Sequence, residues 1–134
     1  MRGRVLADGT AAGLALALDE PLSFWGGVDP ASGEIVDARH PQRGRSVAGR
    51  VLLMTAARGS SSSSSVLAEA VRAGHGPAAI LLGEADLILS VGAAVAEELY
   101  GRRVPILQLD PSDLVAIPDG ARVSIGEGGE VSVR

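Results

Sequence analysis

The sequence predicts an α/β domain built on a mixed, partly parallel sheet flanked by short helices. Three observations predict it. Apolar runs of strand length recur at Val51–Met54, Ala78–Leu82 and Val104–Leu107. Stretches with helical spacing, Val66–Ala73 and Ala93–Tyr100, fall between them. Helices that join apolar strands favour parallel pairing through crossover connections. The 134 residues suit a single domain, 1–134, with one core.

The elements follow in order. Val5–Leu18 mixes small residues with Gly9 and Gly13, and Leu alternates with Ala from Leu14 to Leu18, which suits a strand. Asp19-Glu20-Pro21 breaks it. Phe24-Trp25-Gly26-Gly27-Val28-Asp29-Pro30 and Ala31-Ser32-Gly33 are loop, because Gly and Pro at this density mark turns. Glu34–Asp37 could form a short strand, and Arg39–Arg45 is a polar, basic loop. Val51–Met54 reads as a buried strand. After Arg58-Gly59 come six serines, Ser60–Ser65, the only low-complexity segment. In the helix that follows, Val66, Leu67, Ala70 and Val71 share one side and Glu69 and Arg72 the other, with Gly74 as the stop. Ala78–Leu82 is a strand, and the apolar run Leu87–Val91 reads as another. Gly101 closes the helix Ala93–Tyr100, and Val104–Leu107 is a strand with Pro105 near its start. Arg122–Ile125 and Glu130–Val133 alternate around Gly126, Gly128 and Gly129, as in a hairpin. The middle of the chain thus reads β-α-β-β-α-β.

Composition narrows the chemistry. There is no cysteine, so this chain alone can hold neither a disulfide nor an iron–sulfur cluster. Net charge is −4, and all twelve basic residues are Arg. That balance argues against nucleic acid or an anionic membrane as partner. The longest run of apolar residues and glycine, Ala11–Leu18, is far short of a membrane span. Met1-Arg2-Gly3-Arg4 reaches Asp8 before any long apolar stretch and makes a poor signal peptide, so a cytoplasmic location is expected.

Arg58-Gly59-Ser60-Ser61 is the first candidate site. It lies between a buried strand and the first turn of a helix, where unpaired N–H groups and a partial positive charge favour an anion. Gly59 lets the backbone approach a ligand, Arg58 adds a cation, and the serines can cap the helix and hold a carboxylate or phosphate. The plainer reading is a flexible serine linker. A linker should separate independently folding regions, whereas here a strand and its crossover helix lie a few residues apart. Capping alone needs one serine, and the rest cost helix stability unless something uses them. Ser23–Pro30 is a second candidate, carrying the only Phe and the only Trp; it either plugs the core or lines a partner-facing site. Asp37 and His40 could form an acid–base pair, though a His-Pro loop more often serves structure. His75, after a helix end, more often supplies a charge at that terminus. No Walker loop, G-x-G-x-x-G or G-x-S-x-G motif is present.

Taken together, several segments resemble the aconitase X family, specifically its small swivel subunit or domain. They are Ser23-Phe24-Trp25-Gly26-Gly27-Val28-Asp29-Pro30, Ser32-Gly33-Glu34-Ile35, His40-Pro41, Gly49-Arg50-Val51-Leu52 and Arg58-Gly59-Ser60-Ser61. Leu67-Ala68-Glu69-Ala70 and Gly76-Pro77-Ala78-Ala79-Ile80 continue the match, which covers nearly the whole chain; from Asp110 onward it holds only in pattern. The resemblance implies a swivelling β/α/β domain and a hydro-lyase active only with a large subunit. That partner would carry cysteines and an iron or iron–sulfur centre, and this chain would bind no metal alone. The family's catalytic serine, first after the R/K-G pair, falls on Ser60, with Arg58, Gly59 and Ser61 as supporting groups at the anion site. The iron would act on the leaving hydroxyl, and Ser60, as alkoxide, would take the proton next to the substrate carboxylate. Known substrates are cis-3-hydroxy-L-proline, mostly in bacteria, and mevalonate 5-phosphate, mostly in archaea. The Trp25 form of the loop and the serine-rich run look more like the hydroxyproline type. Two other readings remain: a phosphohistidine-type swivelling carrier using His75, and a non-catalytic anion-binding module.

Overall fold

The computed structural model describes residues 1–134. Its strands are β1 (Arg4–Ala7), β2 (Ala11–Ala17), β3 (Val51–Met54), β4 (Ala79–Leu82), β5 (Ile106–Gln108), β6 (Arg122–Ile125) and β7 (Val131–Val133). Its helices are α1 (Phe24–Gly27), α2 (Ser63–Arg72), α3 (Leu87–Tyr100) and α4 (Pro111–Ala116). One seven-stranded sheet runs in the order β1-β5-β4-β3-β2-β6-β7. The inner four strands are parallel, with Leu52 opposite Leu16 and Ile80 and with Ile80 opposite Ile106. The outer strands β1, β6 and β7 are antiparallel. The mixed sheet expected from the sequence is therefore present.

Strands β3 and β4 are buried along their whole length, which is why they read as unbroken apolar runs and not as alternating ones. Their two faces feed two cores. Leu16, Leu52, Met54, Ile80, Leu82 and Ile106 face Leu67 and Val71 of α2 and Leu89, Ala93 and Ala96 of α3. Val51, Leu53, Ala79, Leu81 and Leu107 meet Leu114 and Ile117 beside α4 and Val123, Ile125 and Val131 of the outer strands. Each fully buried Leu or Ile contributes about 1.5–3 kcal/mol of burial.

Several elements differ from expectation. Leu87–Val91 is not a strand but the first part of α3, so the middle of the chain is β-α-β-α-β. The run was too short for periodicity to separate a buried strand from a helix. What decides it is Asp86, whose carboxylate accepts the Leu89 N–H at 2.7 Å and caps the helix. Gly92 then lies close against α2: a Cβ there would sit 2.8 Å from the Ser64 carbonyl oxygen. Glu34–Asp37 forms no strand, only isolated bridges between Val28 and Ile35 and between Glu34 and Ser46. Val5–Leu18 divides at Gly9 into β1 and β2. Helix α4 was not anticipated, although Asp110-Pro111 carries its cap and its first-turn proline.

Candidate functional site

Chain leaving β3 crosses the carboxyl edge of the sheet and reaches Arg58, Gly59 and the serine run before entering α2. The parallel strands follow one another in sequence from β2 to β5, so no reversal of order opens a deep crevice. Instead the Arg58–Ser60 segment rests on a neighbouring turn. The Arg58 N–H donates to the Leu22 carbonyl at 3.3 Å. Gly59 has φ +116°, and a Cβ on it would lie 2.0 Å from Ser23 Oγ. Only glycine fits there.

Ser60 is exposed and begins the helical entry. Its carbonyl accepts the Ser63 N–H at 3.0 Å. Its Oγ accepts the Ser62 N–H at 3.2 Å. A hydrogen bond donated to this oxygen favours its negative form, as does the start of a helix. Arg58 is exposed beside it, and its guanidinium is free: the chain's four ion pairs engage Arg2, Arg45, Arg72 and Arg103. Ser61 is exposed; its carbonyl accepts the Ser64 hydroxyl at 2.8 Å, and its own hydroxyl makes no bond within the chain.

A shallow cleft of about 30 Å³ lies over these residues, lined by Arg58, Gly59, Ser60, Ser63, Asp86 and Leu89 among others. That is room for about one or two waters, not for a substrate. Asp86 is a neighbour the sequence reading missed. Its signal was an acidic residue directly before an apolar run, as at a helix cap.

Phe24 is fully buried in the core, whereas Trp25 is 59% exposed. His40 is buried, and its ring does not meet Asp37. Its Nδ1 accepts the Gln42 N–H at 3.1 Å, so Nε2 carries the proton and donates to the Glu20 carbonyl at 3.0 Å. His75 closes α2. Its N–H donates to the Ala70 carbonyl and the Gly74 N–H to that of Val71, the paired bonds of a Schellman end with Gly74 at φ +83°. The carbonyl end of a helix disfavours a phosphate, and the His75 Nδ1 is buried without a partner. The carrier reading therefore finds no support at His75.

Residues 1–133 match the aconitase X swivel domain. The chain belongs to that family. The matched relatives include cis-3-hydroxy-L-proline dehydratase of Pseudomonas aeruginosa, 50% identical over 117 residues, which are 86% of this chain and 20% of that protein. This chain thus spans about one-fifth of that relative's length, and likewise of a Hypocrea jecorina protein of the same name. The phosphomevalonate dehydratase small subunit of Thermococcus gammatolerans is 37% identical over 134 residues, covering 99% of this chain and 96% of that one. Among solved structures, the crystal structure of Thermococcus kodakaraensis aconitase X in its holo-form superposes with a TM-score of 0.86 at 32% identity, covering 99% of this chain and 96% of that one. In this aconitase X swivel domain the relatives are dehydratases, in keeping with a dehydratase-related role.

The residues present do not fit an iron centre. The chain carries no cysteine, and no three His, Asp or Glu side chains converge as ligands.

Proposed function

We propose that this chain is the small subunit of a heteromeric hydro-lyase that removes water from cis-3-hydroxy-L-proline, active only when docked to a large subunit that carries the iron centre. The 50% identity to a cis-3-hydroxy-L-proline dehydratase supports that substrate. The absence of a membrane-length apolar helix is compatible with a cytoplasmic enzyme. The observation that carries the reading is the open half-site: an exposed Ser60 hydroxyl that receives an N–H, a free Arg58 guanidinium beside it, and a cleft too small to enclose the substrate. A surface from elsewhere must complete the enclosure and exclude water, which strengthens the charge interactions at Ser60.

In this mechanism Arg58 and the first turn of the helix hold the substrate carboxylate. Gly59 brings the backbone close, and Ser61 adds a donor hydroxyl. Ser60 Oγ, as alkoxide, takes the proton from the carbon bearing the carboxylate. A serine hydroxyl is too weak an acid to ionise at neutral pH unaided; the Ser62 N–H, the helix terminus and Arg58 supply the stabilisation. The C–H electron pair becomes the new double bond as hydroxide leaves the neighbouring carbon; a proton from solvent makes it water, and Ser60 returns its captured proton to solvent, so one water is lost in all. The enamine product tautomerises to a pyrroline carboxylate.

Phosphomevalonate is the second reading, because a phosphomevalonate dehydratase small subunit matches this chain almost end to end. One experiment treats both. The chain is produced together with a cysteine-rich aconitase X large subunit, and loss of each substrate is followed. Ser60→Ala should lower turnover by about 10²- to 10⁴-fold while assembly persists. Undiminished turnover would remove Ser60 as the base.

A further inference from the structure

The turn that carries Trp25 is held at both of its peptide groups by two serine hydroxyls. The Trp25 N–H donates to Ser63 Oγ at 3.1 Å. Ser23 Oγ donates to the Trp25 carbonyl at 2.9 Å. The two hydroxyls lie 3.5 Å apart. Since the Ser23 proton is used on the carbonyl, the Ser63 proton is the one free to point at Ser23. A ring of contacts results, from Trp25 N–H through Ser63 and Ser23 back to Trp25 C=O, with the 3.5 Å hydroxyl pair its longest and weakest link.

The ring is placed to act on the site next door. Ser63 is the buried serine of the run, 3% exposed, whereas Ser60, Ser61, Ser62 and Ser65 are exposed. Ser63 also donates its N–H to the Ser60 carbonyl at 3.0 Å, so it touches the Trp25 turn with its side chain and Ser60 with its backbone. The same two hydroxyls form the wall against which Gly59 rests, with Ser23 Oγ 2.0 Å and Ser63 Oγ 3.2 Å from a built Cβ. Trp25 itself has non-helical geometry (ψ 115°) and Gly26 a positive φ of 77°, so a single backbone bond, from the Val28 N–H to the Phe24 carbonyl at 3.3 Å, spans this turn beside the serine hydroxyls.

We propose that Ser63 and Ser23 are positioning residues for the dehydratase reaction: they fix the Trp25 turn and through it the angle at which Ser60 is presented. The inference rests on the reading of Ser60 as base. Both act through Ser60: the Ser63 hydroxyl is committed to the Trp25 N–H and the Ser23 hydroxyl to the Trp25 carbonyl.

The test compares Ser63→Ala, Ser23→Ala and Ser60→Ala in the assembled two-subunit enzyme, with amide hydrogen exchange on the full chain. Ser63→Ala should speed exchange of the Trp25 amide, whose acceptor is lost. It should lower kcat by roughly 10- to 100-fold, the effect of about 1 Å of misplacement, with KM within about twofold. The rising, acidic limb of its pH–rate profile should move to higher pH, because donors misaligned on Ser60 stabilise the alkoxide less. Ser23→Ala, which removes the carbonyl contact and the neighbour of the Ser63 hydroxyl but leaves the Trp25 N–H its acceptor, should do the same in smaller measure and keeps the test decisive if Ser63→Ala fails to fold. If Ser60→Ala is inactive while both other variants keep the parental kcat and pH profile, the positioning role is wrong and the base assignment stands. If Ser60→Ala turns over normally, the base assignment falls and this inference with it.

Discussion

Replacing Gly59 with alanine perturbs the site without touching any reacting group. Two separate costs follow from the geometry. The backbone at φ +116° is a conformation that L side chains rarely adopt, worth about 1–3 kcal/mol. The new Cβ would also fall 2.0 Å from Ser23 Oγ and 2.8 Å from Ser23 Cβ. Ser23 must shift, and overpacking of this kind costs about 1–3 kcal/mol. Their sum, about 2–6 kcal/mol, lies at or below the usual stability of a domain, about 5–15 kcal/mol. Urea unfolding followed by emission of Trp25, the sole tryptophan, reads the effect as a fall in midpoint of about 1–3 M for a mid-range slope of about 2 kcal/mol per M. Pairing Gly59→Ala with Ser23→Gly separates the two costs. The double variant loses the clash but keeps the strained φ, so the cycle should give a coupling within the 0.5–3 kcal/mol typical of touching residues, about 1 kcal/mol or more. An unchanged midpoint for Gly59→Ala, or strictly additive effects in the cycle, would refute the packing of this loop on Ser23.

Two further outcomes follow from caps. Asp86→Ala removes the acceptor for the Leu89 N–H at 2.7 Å and should cost about 1 kcal/mol, read by urea unfolding, with faster exchange of the Leu89 amide; an unaltered midpoint would contradict the cap. The Asp110 carboxyl is held below the usual carboxylate range by the Ser112 hydroxyl first and the Ser112 N–H second. With the folded pKa below the unfolded one, its contribution is full above the ordinary carboxylate range and is lost as pH falls through the lower folded value. An NMR titration of the Ser112 amide should therefore turn over below the ordinary aspartate range; a midpoint at or above it would refute the bond.

The sheet was legible because its central strands are buried on both faces. Val51–Met54 and Ala79–Leu82 carry no polar residue, so length and flanking glycine defined them. The hairpin was legible because Arg122–Ile125 has one face in water and alternates. Leu87–Val91 was not, because an apolar run of five residues fits either element, and a cap three atoms beyond the backbone decided it. Helix α4 was missed although Asp110 and Pro111 announce it, because six residues are too few to show a period. At the site, Arg58, Gly59 and Ser60 were legible as a glycine-opened turn before a helix. Asp86 lay outside that reading, since its place in the cleft depends on how α3 packs against α2. The Ser23–Ser63 ring was equally hidden: forty residues of sequence separate its hydroxyls.

The serine run can now be divided by role. Serine is a mediocre helix former, and a stack of six at the start of a helix is unfavourable by propensity alone. Ser60 turns its oxygen to a backbone N–H and to solvent, Ser63 turns inward to the Trp25 turn, and Ser64 bonds back to the Ser61 carbonyl. Those three account for the positions nearest the fold. Ser61, Ser62 and Ser65 remain exposed, with hydroxyls that make no bond inside the chain. A plain linker would leave all six free, and a plain cap would employ only one. The observed pattern instead mixes three anchored hydroxyls, on Ser60, Ser63 and Ser64, with three free ones around a single turn, which lets one short segment be fixed to its own domain on one side and present donors on the other. Such an arrangement is stable only if the anchored members hold. That makes Ser63, buried and bonded at both its side chain and its backbone, the residue on which the geometry of Ser60 depends.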